Sequence, residues 1–308
     1  MAAPRTILVT GGSGFVGLHL VPALAAAFPD AVLAAPKMDV QDAARVEETV
    51  RAIKPEVCVH LAAVSAIGAA RQAPDHAWNV NFHGTLNLAW ALLQGAPACQ
   101  MVFVSSADAY GASFKAGHAL NEAAPLAPLN VYGHTKAAAD FVLAGMAAQG
   151  LRVVRLRPFN HTGAGQSADF VLPAFARQIA RISAGLQPPV LEVGNLETWR
   201  DFLDVRDVCG AYVACIARRE ELAPGTILNL ASGHARRVGD VLNDLASLAD
   251  VELTVKVDAS RVRETDIRVA CGDASRAQAL LGWQPAIPWT QTLQDVLDDW
   301  RARVGSEQ

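Results

Sequence analysis

The stretch that decides the fold is "TILVTGGSGFVGLHL", residues 6–20. Its first five residues read as a buried strand. Gly11, Gly14 and Gly17 then follow in a Gly-x-x-Gly-x-x-Gly array, and from about Gly14 onward the apolar residues take up a helical period. Glycine is wanted here for two reasons. The turn off the strand needs backbone angles that glycine tolerates, and a missing Cβ lets backbone N–H groups at a helix N-terminus approach a pyrophosphate. A tight turn without a ligand uses the same residues. A strand before and a helix after are the context that the phosphate-binding turn requires.

Working outward, short apolar runs alternate with helix-period segments: "AVLAA", "EVCVHLA", "QMVFVSS" and "LRVVRLR". Runs apolar on both faces are what a buried parallel sheet needs, and the segments between them supply the crossovers. The expected fold is therefore α/β, a Rossmann-like doubly wound parallel sheet with a smaller C-terminal α/β domain. After Arg157 the pattern changes to the turn-rich "RPFNHTGAGQ", a helix over "ADFVLPAFARQIARISAG", and a tail of helices and short strands ending in the amphipathic "QTLQDVLDDWRARV". One core-type strand, "TILNLAS", is expected to rejoin the sheet. The expected division is residues 1–158 with about 204–232 as the dinucleotide-binding domain, and 159–203 with 233–308 as the substrate-binding domain.

Composition narrows the function. The 308 residues are 52% hydrophobic with a formal net charge of -4, which excludes a disordered or fibrous chain. No Lys/Arg cluster with interleaved aromatics is present, so no nucleic-acid partner is expected. Cys58, Cys99, Cys209, Cys215 and Cys271 are scattered without metal-ligand spacing, and read as reduced core residues with no metal. No signal-peptide pattern opens the sequence and no apolar run reaches the length of a membrane span, so a cytoplasmic protein without a membrane partner is expected.

The second strand region, "AVLAAPK", ends without the acid that holds a ribose 2′-hydroxyl, and Lys37 is placed to face a 2′-phosphate. NADP(H) is favoured on that ground, with NAD(H) as the alternative. Asp39 in "DVQD" is either a contact for the adenine ring or the N-cap of the following helix. Further along, "VYGHTKAAAD" (residues 131–140) places Tyr132 and Lys136 four apart, on one face of a helix. Taken alone, that spacing is as compatible with a decorated surface as with catalysis.

The motifs "TGGSGFVG", "HLAA" (His60 to Ala63), "NVNFHGTLNL" around Asn81, "SSADAYG" and "YGHTK" occur together in an order that resembles the extended short-chain dehydrogenase/reductase family. The later "RPFNHTGAGQ", "RDFLDVRDV" and "GDASRAQALLGWQP" are similar to the subgroup acting on GDP-linked hexoses. Two departures stand out: Ala164 where the subgroup usually has proline, and Glu264 where an Arg-Pro pair is common. The resemblance implies a dinucleotide site formed by Gly11, Gly14, Phe15, Val16, Gly17, Lys37, Asp39, Val40, Leu61, Ala62, Ala63, Asn81, Tyr132 and Lys136. It implies that Lys136 lowers the Tyr132 pKa and holds the nicotinamide ribose, that Tyr132 is the proton donor, and that Ser106 hydrogen-bonds the substrate oxygen. Without a ligand, Ser106 is a strand-end hydroxyl or helix cap.

The resemblance also implies the reaction: reduction by NAD(P)H of the 4-keto group of a GDP-linked 4-keto-6-deoxyhexose, giving GDP-D-rhamnose or its C4 epimer GDP-6-deoxytalose. The alternative is a nucleotide-sugar 4-epimerase or 4,6-dehydratase; a non-catalytic dinucleotide sensor of the same fold is a third reading, which intact Ser106, Tyr132 and Lys136 oppose. Related 4,6-dehydratases place Thr-Asp-Glu or Thr-Ser-Glu where this chain has Ser106-Ala107-Asp108. Alanine donates nothing, and Asp108 is one methylene shorter than Glu, so elimination is disfavoured. Asp108 is retained as a catalytic candidate. On the substrate side, Arg200 and Arg263 are placed to grip a diphosphate and Asn160 to position it, the arginines otherwise being surface ion pairs. A homodimer is expected, built on the helices around "NFHGTLNLAWALLQG" and "YGHTKAAADFVLAGM".

Overall fold

The computed structural model describes residues 3–258 and 267–306. Arg263 and Glu264 lie outside the described residues. The chain begins β1 (Thr6–Thr10), α1 (Phe15–Ala27), β2 (Val32–Ala34), α2 (Ala43–Ile53), β3 (Val57–His60), α3 (Ile67–Gln72) and α4 (Pro74–Trp78). A π-helical turn (Asn79–His83) leads into α5 (Gly84–Gly95), β4 (Gln100–Val104), two 3₁₀ turns (Ala107–Ala109 and Gly111–Ala116), α6 (Val131–Ala148) and β5 (Val153–Pro158). Then come β6 (Asn160–Thr162), α7 (Val171–Ser183), β7 (Val190–Val193), β8 (Trp199–Asp204), α8 (Val205–Ala217) and β9 (Ile227–Leu230). The chain closes with β10 (Ala235–Arg237), α9 (Val238–Ala249), β11 (Thr254–Val257), β12 (Val269–Ala270), α10 (Ser275–Leu281) and α11 (Trp289–Gly305).

β3 and β5 are buried at every position, as interior strands of a parallel sheet must be when helices cover both faces. The sheet order is β2-β1-β3-β4-β5-β9, parallel throughout, and "TILNLAS" supplies β9, with Arg155 opposite Ile227. One face packs on α1, α8 and α10 through Leu20, Leu24, Val208, Tyr212 and Ala277. The other packs on α2, α5 and α6 through Val46, Leu88, Leu92 and Leu143. "AVLAA" differs from the expected buried run: it yields a three-residue edge strand whose Val32 is exposed. Because β1 has β2 on one side and β3 on the other, the chain order reverses beside β1. A crevice therefore opens at the carboxyl end of β1, where the glycine turn lies.

The other elements form the strand order β10-β8-β12, with β6 also pairing to β8, and a parallel β7/β11 pair. Leu172, Phe175, Ile179, Leu191, Phe202, Leu242 and Leu297 join α7, α9 and α11 to these strands in a separate apolar cluster. Cys58, Cys99, Cys209 and Cys215 are buried free thiols, and Cys271 is half-buried. Among the described residues, no helix is long and apolar enough to cross a membrane.

Candidate active site

Gly11 takes φ of 70°, and a Cβ on it would lie 2.7 Å from the backbone nitrogen of Ala62. The angle therefore calls for glycine at this residue, and the close approach of the chain leaving β3 adds a second, steric reason. The Gly14 amide closes the turn onto the Gly11 carbonyl (3.0 Å), and Gly14 caps α1 without a side-chain hydrogen bond. The amides of Phe15, Val16 and Gly17 open the helix, where first-turn N–H groups have no intrahelical acceptor and suit an anion. A parallel backbone cradle of this kind fits a dinucleotide pyrophosphate.

Lys37 is exposed three residues beyond β2, with no acid between them, and Ala35 abuts Gly12. Asp39 is also exposed. Its carboxylate accepts the Gln41 amide (2.9 Å) and lies below its ordinary pKa because of that bond. The reading of Asp39 as the N-cap of α2 is incorrect: Asp42 caps that helix, accepting from the Arg45 amide at 3.0 Å. Val40 is buried under Gly84, and its carbonyl accepts from Asn87 (3.0 Å). Leu61 and Ala62 follow β3 and donate to Thr10, at its carbonyl (3.1 Å) and hydroxyl (3.3 Å) respectively; Ala63 comes next in the chain.

Asn81 is fully buried on the π-helical turn, with its amide committed within the protein. It accepts from Val64 N (2.7 Å) and donates to the Val64 carbonyl (3.1 Å) and Thr135 Oγ1 (3.0 Å). Thr135 Oγ1 in turn donates to the Tyr132 carbonyl (2.8 Å). Asn81 is thus a strut between the loop after β3 and the first turn of α6. Beside it, His60 bridges Thr10 Oγ1 (2.7 Å) and Thr85 Oγ1 (2.9 Å), and burial, then the charge of Lys136, drive its pKa down to about 3.

Ser106 ends the segment after β4 and caps the short 3₁₀ turn. Its Oγ accepts the Asp108 amide (3.1 Å) and donates to Asp108 Oδ2 (3.4 Å). Asn130 caps α6 through the Gly133 amide (2.8 Å), and its Nδ2 reaches Asp108 Oδ1 (3.4 Å). A Cβ on Gly133 would lie 2.7 Å from the Asp108 carbonyl, so glycine there lets the first turn of α6 seat against the serine turn. Tyr132 hydrogen-bonds Ser106, which brings the two ends of the cluster together.

Lys136 is 3% exposed, and its ammonium donates to the Val104 carbonyl (2.8 Å) and sits 5.3 Å from the centre of the Phe103 ring. Burial brings its pKa down to about 8 against the opposing pull of Asp140. The Tyr132 phenol is raised above its ordinary value, by burial first and by the Asp108 carboxylate second, with the Ser106 bond opposing. The expectation that Lys136 lowers this phenol's pKa is not what the geometry does. The ammonium is drawn to the Val104 carbonyl, and the charge acting on the phenol is that of Asp108. Ala107 packs into an apolar cluster with Tyr110, Phe114 and Phe159 and offers no polar group.

Asn160 is exposed at the start of β6, opposite Phe202 of β8. Arg200 is half-buried on β8, with Nη1 donating to the Trp199 (2.9 Å) and Ile267 (2.7 Å) carbonyls. Several contributing residues escaped the sequence reading. Asn130 and Gly133 carried a legible signal, an Asn three residues before a Gly at a helix start. His161, whose ring stacks on Phe15 at 6.3 Å between centroids, carried none.

A parallel sheet with this glycine turn, and a serine, tyrosine and lysine gathered at one end of β4 and α6, define a dinucleotide-dependent oxidoreductase of the extended short-chain dehydrogenase/reductase class. More particularly, the chain belongs to the GDP-mannose 4,6 dehydratase family, whose model matches residues 25–296. It is 37% identical to GDP-6-deoxy-D-mannose reductase of Pseudomonas aeruginosa over 98% of this chain and 99% of that one. It is 28% identical to GDP-6-deoxy-D-talose 4-dehydrogenase of Aggregatibacter actinomycetemcomitans, covering 90% and 91%. The solved structure of RMD from Pseudomonas aeruginosa complexed with NADPH superposes with a TM-score of 0.89 at 34% identity, covering 97% of this chain and 99% of that chain.

Proposed function

We propose that this protein reduces the 4-keto group of a GDP-linked 4-keto-6-deoxyhexose with NADPH, or with NADH in its place. The observation that carries the proposal is the serine turn: Ser106 is hydrogen-bonded to Tyr132, Lys136 is buried one helical turn further along α6, and the position after Ser106 is Ala107. The bound nicotinamide supplies a hydride to C4. The chain's own residues do the rest. Ser106 and Tyr132 donate hydrogen bonds to the carbonyl oxygen, and Tyr132 delivers the proton as that oxygen takes on charge, so hydride and proton together convert the ketone to an alcohol. Lys136, anchored on the Val104 carbonyl, holds the nicotinamide ribose. Asp108 orients Ser106.

The pyrophosphate is assigned to the turn of Gly11, Gly14, Phe15, Val16 and Gly17, and the adenosine end to Lys37, Asp39 and Val40. Leu61, Ala62 and Ala63 line the crevice, and Asn81 fixes their loop. Asn160 and Arg200 are assigned to the sugar-nucleotide diphosphate, as is Arg263. Residues 1–158 with about 204–232 form the proposed dinucleotide domain, and 159–203 with 233–308 the substrate domain. The proposed assembly is a homodimer through α5 and α6, whose Trp90 and Phe141 are 46% and 77% exposed. The cytoplasm is the proposed compartment, because substrate and cofactor are both metabolites of that kind.

The test is NMR of the product from GDP-4-keto-6-deoxymannose with NADPH and with NADH, together with loss of absorbance at 340 nm. The expected result is a 6-deoxyhexose with a new C4 hydroxyl, and its configuration identifies rhamnose or 6-deoxytalose. GDP-mannose with NADP⁺ should yield no 4-keto-6-deoxy product. Rapid loss of water from GDP-mannose would overturn the reading in favour of a dehydratase.

A further inference from the structure

"LRVVRLR" places two arginines in β5, a strand buried at every position. Charges in such a place need a counter-charge, and Asp140 of α6 is it. Its Oδ1 accepts from Arg155 Nη1 (2.8 Å) and Arg157 Nη2 (2.9 Å), and its Oδ2 from Arg157 Nε (2.9 Å). Arg157 Nη1 also donates to the Tyr110 hydroxyl (3.0 Å), which donates to Asn229 Oδ1 (2.7 Å). Tyr110 lies two residues beyond Asp108 in the segment carrying Ser106. The network therefore joins α6, β5, β9 and the serine turn. Glu122 completes it, its carboxylate accepting the Asn229 amide (2.7 Å) and its carbonyl accepting from Arg157 Nη1 (3.4 Å), so the network holds two cations and two anions.

Asp140 stands one helical turn beyond Lys136 on α6, and both are buried, at 0% and 3% exposure. Lys136 is faced by His60 from β3, which is neutral, and by the Phe103 ring and Val104 carbonyl from β4, and Tyr132 precedes it by one turn of its own helix. Arg155 and Arg157 of β5 stand behind Asp140, and Asp108 lies across the site beside Tyr132. Among these, the carboxylate of Asp140 is the anion that supports the Lys136 charge.

We propose that Asp140 is a positioning residue for Lys136: oriented by Arg155 and Arg157, its carboxylate keeps the ammonium charged inside the fold, and Arg157 with Tyr110 fixes that carboxylate relative to the serine turn. The proposal rests on the reductase reading for its consequence in catalysis, but not for its test.

The test is NMR titration of protein carrying ε-¹³C lysine. The chain has five lysines (Lys37, Lys54, Lys115, Lys136 and Lys256), so comparison with Lys136→Arg identifies the Lys136 signal. Wild type should titrate near pH 8. In Asp140→Asn the midpoint should fall by about one to two pH units, the effect of removing one charge a helical turn away in a medium of effective dielectric near 20. Because Asp140→Asn leaves two buried arginines without the carboxylate that pairs them, Asp140→Asn with Arg155→Gln is the second variant. It removes one charge of each sign and restores the network's net charge; because Arg155 stands behind Asp140, its loss offsets only part of the effect, and the Lys136 midpoint should fall by less than in Asp140→Asn. A midpoint unchanged from wild type in folded Asp140→Asn, or one lower in the double variant than in Asp140→Asn, overturns the proposal. Neither sugar nor cofactor enters the titration, so a wrong reductase assignment would show in turnover and not in the midpoint.

Discussion

Replacing Gly133 by alanine adds one methyl group to the motif that bears the proposed proton donor, and two opposed effects decide the result. Alanine favours a helix over glycine by up to about 1 kcal/mol. Against this, the new Cβ would lie 2.7 Å from the Asp108 carbonyl oxygen and 3.2 Å from Pro128 Cβ. Ordinary carbon–oxygen contact is roughly 3.3 Å or more, so α6 and the serine turn must separate by about 0.6 Å. Overpacking of this kind costs about 1–3 kcal/mol, and the net effect should be a loss of about 0–2 kcal/mol of stability. Activity should suffer more. A 1 Å misplacement can cost about 100-fold in rate, so opening the distance between Ser106 and Tyr132 by 0.6 Å should lower kcat roughly tenfold, with little change in cofactor KM because the glycine turn is untouched. The assay pairs urea unfolding with NADPH-dependent turnover of the 4-keto sugar nucleotide. A Gly133→Ala protein that is more stable than wild type and fully active would refute the close seating of helix on turn.

Tyr132→Phe should keep cofactor binding, measured by NADPH fluorescence, while kcat falls about 10²–10⁴-fold because the ring stays and the proton donor goes; near-normal turnover would remove the mechanism. Phe141→Glu should convert a dimer to a monomer in sedimentation, and a wild-type protein that sediments only as a monomer at micromolar concentration would dispose of the α5/α6 interface. His60 has a folded pKa of about 3, below its unfolded value of about 6.5, so its stabilising contribution is complete above pH 6.5 and declines as pH falls below it. Its share of the pH slope should approach about 1.4 kcal/mol per unit below that point, and urea midpoints at pH 7.5 and 5.5 should differ less in His60→Gln; an equal difference would mean that His60 is not held neutral.

What the sequence made legible was periodic or local. The strand runs, the glycine turn and the Tyr132–Lys136 spacing each express a rule acting over a few residues, and β1, β3, β4, β5 and β9 appear where those rules place them. The less legible features depend on partners distant in sequence. "LRVVRLR" reads as an apolar strand carrying two awkward arginines until Asp140, 15 and 17 residues away, takes both. Asp39 and Asp42 are both acids near the start of α2. Propensity alone does not choose between them, and the choice falls to the one whose side chain reaches the Arg45 amide. Asn81 is recognisable as part of a motif, but whether its amide faces a ligand or braces two loops depends on Val64 and Thr135. The phenol's pKa is the hardest to foresee, because it sums burial, Asp108 and Ser106 in three dimensions.

That last quantity bears on why the proposed reduction should be found in a family whose model is named for a dehydratase. Dehydration and epimerisation at C4 both begin by oxidising an alcohol, for which the tyrosine must accept a proton and is best poised as a phenolate. Reduction of a ketone already formed needs the reverse, a phenol that holds its proton until the oxygen takes on charge. Burial and the Asp108 carboxylate both favour the protonated form of Tyr132, and Ala107 removes the side chain from which elimination would draw help. The two substitutions thus act in the same direction by different means. One takes away a group that elimination would need, and the other keeps a shorter carboxylate whose charge, with burial, holds Tyr132 in the protonated form that the proposed reduction requires.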